Sequence, residues 1–261
     1  MRGKFMLLVL VAVAAGAVAA PAPFEDTMGQ RTLACTSCHG REGRAGPDGY
    51  YPRIAGKPAG YLYNQLLNFR EGRRHYGLMA GLLDPLSNEY LAQIAHYFAQ
   101  LDLPYPPPQR VDEAPEVLQR GRAIATNGDA ERNLPACAHC HGHALTGVQP
   151  NVPGLLGLSR DYLNAQLGAW RTGQRRAHAP DCMAEIARRL SPEDLGAVTA
   201  FLASEALPAN PRPVAEAVSA PAPAATRHKG RKAAPPPPPA PEPPPMRCGS
   251  APLPAAAGGR P

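Results

Sequence analysis

The chain has 261 residues, with 27 Lys and Arg against 21 Asp and Glu, six Cys and 33 Pro. That length allows one or two domains, and the formal charge of +6 would suggest a nucleic-acid partner if it were spread over the chain. It is not: two basic residues lie in the first four and seven in 207–261, so residues 20–206 carry 18 basic and 19 acidic side chains and no basic footprint for nucleic acid.

Met1 to Lys4 is a basic start, and Phe5 to about Val18 is apolar. Ala17-Val18-Ala19 is a small-residue cleavage signal, which predicts a signal peptide over 1–19 and export to the periplasm. An uncleaved anchor ranks second, because the apolar stretch is shorter than a comfortable membrane span. No Cys near the cleavage point suggests a lipoprotein.

Two strings then stand out, Cys35-Thr36-Ser37-Cys38-His39 and Cys137-Ala138-His139-Cys140-His141. Each is C-x-x-C-H, the mark of covalent c-type haem attachment. Two thiols three residues apart on one helical turn can form thioethers to both vinyl groups of one porphyrin, and the following His is placed to bind the iron. The competing readings are a redox dithiol and half of a zinc site. A dithiol enzyme would show a βαβ pattern, and a four-Cys zinc site would unite pairs that lie 102 residues apart in parallel settings. Two covalently bound haem c groups are the predicted cofactors.

The body repeats. Tyr61-Leu62-Tyr63-Asn64-Gln65-Leu66 matches Tyr162-Leu163-Asn164-Ala165-Gln166-Leu167, and Phe69-Arg70-Glu71-Gly72-Arg73-Arg74 matches Trp170-Arg171-Thr172-Gly173-Gln174-Arg175. Pro52 and Gly56 pair with Pro153 and Gly157, and Met79 and Met183 each precede a Leu-Ser by seven residues. The prediction is an all-α chain of two tandem domains, 20–103 and 113–206.

Ala59 to Glu71 puts Leu62, Leu66 and Phe69 on one helical face, with Gly72 as its stop. Leu91, Ile94, Ala95 and Phe98 mark the last helix of the first half, and Leu195, Val198, Thr199 and Leu202 that of the second. Ser87 and Ser191 are their N-caps, with Pro192 at the first helical position and Asp194 in the first turn. A further helix is predicted over about Pro115 to Ala125, and no alternating strand is visible. Residues 104–112, with Pro104-Tyr105-Pro106-Pro107-Pro108, form a stiff linker. Residues 207–261 are an Ala/Pro-rich basic tail that cannot bury a core and is predicted to be disordered.

Each iron needs a sixth ligand. Met79 and Met183 occupy equivalent places, each expected on a loop before the last helix; His/Met ligation raises the potential and closes the iron to substrate. His75 and His178 lie a few residues upstream as rivals. His96 reads as a packed surface His, and His139 and His143 as exposed. Cys182 is a candidate thiolate ligand, a free thiol, or a disulfide partner of Cys248.

These residues resemble the cytochrome c4 family, the dihaem branch of small class I c-type cytochromes. The resemblance covers roughly Phe24 to Leu207. It rests on both C-x-x-C-H-G strings, the paired Tyr-Leu…Gln-Leu…Gly helices and the Met followed by Leu-Ser in both halves. It implies two class I cytochrome c-like domains facing each other about a pseudo-two-fold axis. Haem 1 would be joined to Cys35 and Cys38 and ligated by His39 and Met79; haem 2 to Cys137 and Cys140, with His141 and Met183. The carbonyls of Pro52 and Pro153 would accept the proximal His Nδ1–H. The implied role is a periplasmic single-electron carrier rather than an enzyme. Its transient partners would be a quinol-oxidising complex or dehydrogenase on one side and a terminal oxidase on the other. A dihaem enzyme of small sulfur compounds and a haem subunit of a larger dehydrogenase are the alternatives. Cys182, the stretch Asn127 to Leu134 and the tail depart from the family pattern; the basic tail admits peripheral membrane association.

Overall fold

The computed structural model describes residues 25–46, 48–215 and 248–256. The signal peptide expected over 1–19, and the tail over 216–247, lie outside them.

The first half begins with α1 (Met28–Arg31) and α2 (Leu33–His39), followed by a short 3-10 turn at Arg41–Gly43. Then come α3 (Ala59–Arg70), α4 (Gly77–Leu83) and α5 (Asn88–Gln100). The second half has α6 (Pro115–Asn127), α7 (Cys137–His141), a two-residue ribbon of β1 (Gly147–Val148) and β2 (Val152–Pro153), then α8 (Arg160–Arg171), α9 (Cys182–Arg189) and α10 (Pro192–Ser204). The architecture is two helical units, one for each half of the repeat.

Each half has its own core. In the first, Leu62, Leu67 and Phe69 of α3 pack on Leu91, Ile94 and Phe98 of α5. In the second, Leu163 and Leu167 of α8 meet Val198, Phe201 and Leu202 of α10, with Ile124 of α6. Leu62, Phe69, Leu91, Ile94, Phe98, Val198 and Leu202 are predicted positions, but Leu67 takes the buried place expected of Leu66, and Leu195 is only half-buried; Phe98, 2% exposed, alone contributes about 2–3 kcal/mol of burial. Gly121 is required where α6 crosses α10, because a Cβ there would stand 2.1 Å from Ala197 O. Ser87 Oγ accepts from Tyr90 N and Ser191 Oγ from Asp194 N, so both predicted caps form.

Three expectations change. Met79 and Met183 sit on short helices, α4 and α9, not on loops. The two glycines of Gly77–Leu83 mask helicity, and α9 is capped by Asp181, whose side chain accepts from Ala184 N. The antiparallel ribbon β1–β2 was not expected, because two residues per strand are too few to alternate. Parts of the tail are placed against the body. Val214 exchanges backbone bonds with Gly147 and Gln149. Residues 248–256 run as a strap across both halves: Cys248 is disulfide-bonded to Cys182, Ala251 N donates to Asn64 Oδ1, and His96 Nε2 donates to Pro254 O. An unstructured tail from 207 overlooks these anchors, which are single contacts rather than a periodic pattern.

Candidate functional site

The two C-x-x-C-H strings form α2 and α7, so each pair of thiols lies on one helical turn, with the His closing it. The chain must then turn back sharply. Gly40 does this at φ 75°, against Ala45 O, which a Cβ would meet at 2.3 Å. Gly142 does it at φ 82°.

The turn aims each imidazole at a proline carbonyl. His39 Nδ1 lies 2.8 Å from Pro52 O and His141 Nδ1 lies 2.7 Å from Pro153 O. A carbonyl only accepts, so Nδ1 carries the proton and Nε2 keeps its lone pair. Burial lowers both imidazoles below the usual His range and keeps them neutral; the carbonyl bonds oppose this only in part. Burial also pushes the Cys137 thiol up to about 11 and raises Cys35 and Cys140.

A cavity of about 1000 Å³ runs through both halves. Cys35, His39 and Met79 line it in the first half, and Cys137, Cys140, His141 and Met183 in the second. Cys38 lies on the same turn as Cys35 and is exposed. The two methionines are half-buried and pack on their respective cores. Of the rivals, His75 is exposed along the cavity. His178 Nε2 is taken up by Arg73 Nη2 at 3.0 Å. His139 and His143 are exposed, as expected. Cys182 is closed off by Cys248.

The cavity fits a large, mostly apolar disc with an anionic edge. Leu62, Ile94 and Phe98 wall one half, and Leu167, Val198 and Leu202 the other. The anionic edge is matched where the halves meet. Arg74 and Arg175 face each other across an antiparallel backbone bridge and share the same two amide oxygens. Arg74 donates to Gln65 at 2.9 Å and Gln166 at 2.7 Å; Arg175 donates to Gln166 at 2.7 Å and Gln65 at 2.9 Å. Neither makes a salt bridge to a described carboxylate, although Arg175 is 4% exposed. A buried guanidinium beside a half-buried one, both with only neutral acceptors, calls for an anion. Their field acts on Tyr162, whose phenol burial would raise but the two arginines hold below its usual range. Trp170 Nε1, beneath Arg175 and on the cavity wall, is buried without a partner. Haem, with its apolar ring and propionate carboxylates, matches this cavity. The repeat of Arg74 and Arg175 was visible in the sequence; that their side chains share acceptors was not.

Residues 118–206 match the family described as Cytochrome c. A cytochrome c4 of Pseudomonas aeruginosa is 31% identical over 66% of this chain and 84% of its own length. The chain belongs to the dihaem cytochrome c4 family. A thiosulfate dehydrogenase electron acceptor of Thiomonas intermedia is 36% identical, covering 66% of this cytochrome and 79% of that protein. Among solved structures, the reduced cytochrome c4 of Pseudomonas stutzeri superposes with a TM-score of 0.58 at 28% identity, covering 68% of this chain and 96% of that one. The thiosulfate dehydrogenase of Marichromatium purpuratum gives 0.59 at 33% identity; this cytochrome covers 39% of that chain. As a member of the family, this cytochrome carries two covalently bound haem c groups and transfers electrons.

The pseudo-two-fold arrangement implied by the resemblance is seen at Arg74 and Arg175 and in the crossed backbone bonds beside them, His75 N to Gln174 O at 2.9 Å and Arg176 N to Arg73 O at 2.7 Å.

Proposed function

We propose that this cytochrome is a periplasmic dihaem carrier that accepts single electrons from a dehydrogenase of the thiosulfate-oxidising kind and passes them to a terminal acceptor such as an oxidase. Cys35 and Cys38 would hold haem 1, with His39 and Met79 as ligands to its iron, and Cys137, Cys140, His141 and Met183 would do the same for haem 2. The observation that carries this reading is the duplicated geometry. In both halves a buried His is oriented by a proline carbonyl, and a Met from the second α-helix after it lines the same cavity.

Bound haem supplies the one-electron Fe(II)/Fe(III) couple. The chain's residues do the rest. The proline carbonyls fix the imidazole tautomer, the apolar walls exclude water, and Arg74 and Arg175 offer charge to the carboxylate edges. The names of the relatives favour a dehydrogenase as donor over a quinol-oxidising complex. The alternative of an enzyme of small sulfur compounds rested on Cys182, whose sulfur is bonded to Cys248.

Two measurements test the proposal. Oxidised protein should show the far-red band of methionine-bound ferric haem, with Met79→His and Met183→His each removing about half of it. Thiosulfate alone should leave the oxidised cytochrome unchanged, and adding thiosulfate dehydrogenase should reduce it rapidly. Reduction by thiosulfate alone would make it an enzyme; no reduction in either case would remove this donor.

A further inference from the structure

We propose that Lys57, supplied by the first half, raises the reduction potential of haem 2 in the second. The inference rests on the assignment of His141 and Met183 to haem 2.

Lys57 is 4% exposed and lines the cavity. Its Nζ crosses the interface and donates to Gly154 O at 2.9 Å. Gly154 follows Pro153, whose carbonyl receives His141 Nδ1 at 2.7 Å. The ammonium is thus one residue from the carbonyl that orients the proximal imidazole. Neither partner has room to drift. Gly154 is pressed against Thr146, whose O a Cβ would meet at 2.5 Å, and Pro153 is pinned in the β1–β2 ribbon. Lys57 makes no ion pair among the described residues; burial, and after it the cation of Arg53, lowers its ammonium to about 7.

Nothing matches this arrangement in the other half. In the repeat, Leu158 takes the place of Lys57 and Gly154 that of Arg53. Arg53 itself is spent on the linker and its own loop, donating to Leu103 O, Pro104 O and Ala55 O.

Ferric haem carries one more positive charge than ferrous haem. A fixed cation in a low-dielectric site raises the energy of the ferric state, and so favours the electron. It also draws on the Pro153–Gly154 peptides, weakening the carbonyl that makes His141 a stronger donor. Both effects push the potential of haem 2 upward. The potential of the second haem therefore depends on how the first half is docked.

The test is a redox titration of the holoprotein on the acid side of neutrality, where Lys57 is protonated, fitted for two components. Met79→His and Met183→His identify which component belongs to which haem. Lys57→Gln keeps a donor for Gly154 O without the charge, and Lys57→Met keeps the volume alone. Both should favour the ferric state of haem 2 by about tenfold, a fall of about 59 mV for one electron, with haem 1 unmoved. The proposal fails if haem 2 stays put in both variants, if both haems shift equally, or if Lys57→Met alone shifts it, since that would make the hydrogen bond and not the charge the cause. If Met183→His displaces no separate component, the ligand assignment fails instead.

Discussion

The two distal helices hold the same place in the repeat and are secured by different means. α4 in the first half has no side-chain cap, and it shows Leu78 and Leu82 to solvent at 69% and 39% exposure. α9 in the second half is capped by Asp181, tied by a disulfide at its first residue, and bound at its far end by Arg189 to Asn133 O. The strap that carries Cys248 fits closely there. Gly249 N donates to Pro180 O at 2.9 Å, and a Cβ on Gly249 would collide with His178 O and Ala179 O. A duplicated fold thus leaves one methionine on a lightly held helix and the other on a stapled one. The lesson is that repetition places the two methionines alike, while the added contacts decide how firmly each proposed ligand is kept.

The severest way to break the comparison is to remove one haem. Cys137→Ala with Cys140→Ala should halve the haem content by intact mass, with the first half still loaded and folded. The second half, whose core is built around the cavity that Leu167, Val198 and Leu202 line, should lose protection from proteolysis. Loss of both haems would show that the halves do not load independently, and retention of both would remove Cys137 and Cys140 as the point of attachment. The next largest effect comes from the staple. Cys248→Ser should lower the stability of the second half by about 2–4 kcal/mol, within the usual range for a native disulfide, and should expose the Ala251 amide to hydrogen exchange, because that amide is held on Asn64 of the first half. On heating, the far-red band of haem 1 should weaken before that of haem 2 in the parent protein, and Cys248→Ser should narrow or reverse that order; an unchanged order would deny the disulfide any part in holding α9.

Much of this was legible in the residues. The C-x-x-C-H strings, most of the apolar stripes of α3, α5 and α10 and the Ser caps are local patterns, and local patterns survive folding. Pro52 and Pro153 were placed by resemblance, and the carbonyl bonds follow that placement. What escaped depends on distant pairs. Lys57 meets Gly154 across 97 positions, and Asn64 meets Ala251 across 187. No period in the sequence encodes such contacts. Arg74 and Arg175 are intermediate: the repeat shows them, but only the fold turns them toward the same two glutamines. Helices α4 and α9 were read as loops because seven or eight residues make barely two turns, too few for periodicity to speak.

The mildest contrast lies where the last helices begin, and pH brings it out. Ser87 caps α5 with a single bond, since Tyr90 stands at the third helical position. Ser191 shares a reciprocal box with Asp194, whose Oδ2 also accepts from Ser191 N at 3.2 Å. Asp194 is fully buried and takes Arg120 at 2.6 Å and Arg132 at 2.5 Å. Burial alone would raise its carboxyl, but the two arginines and the Ser191 amide outweigh it and hold it at about 2 against an ordinary 3.8. Because the folded value lies below the unfolded one, this stabilisation is complete above pH 3.8 and is lost as pH falls toward about 2. Asp194→Asn should therefore cost about 2 kcal/mol near neutrality, from the cap and its charged hydrogen bonds, and should flatten the acid limb of the second half's unfolding curve. Ser87→Ala should cost about 1 kcal/mol and, because its hydroxyl lowers only the exposed Glu89 carboxyl, should move the acid limb of the first half far less than Asp194→Asn moves that of the second. Denaturant unfolding followed at each haem would separate the two, and an acid limb surviving in Asp194→Asn would assign that proton to another carboxylate.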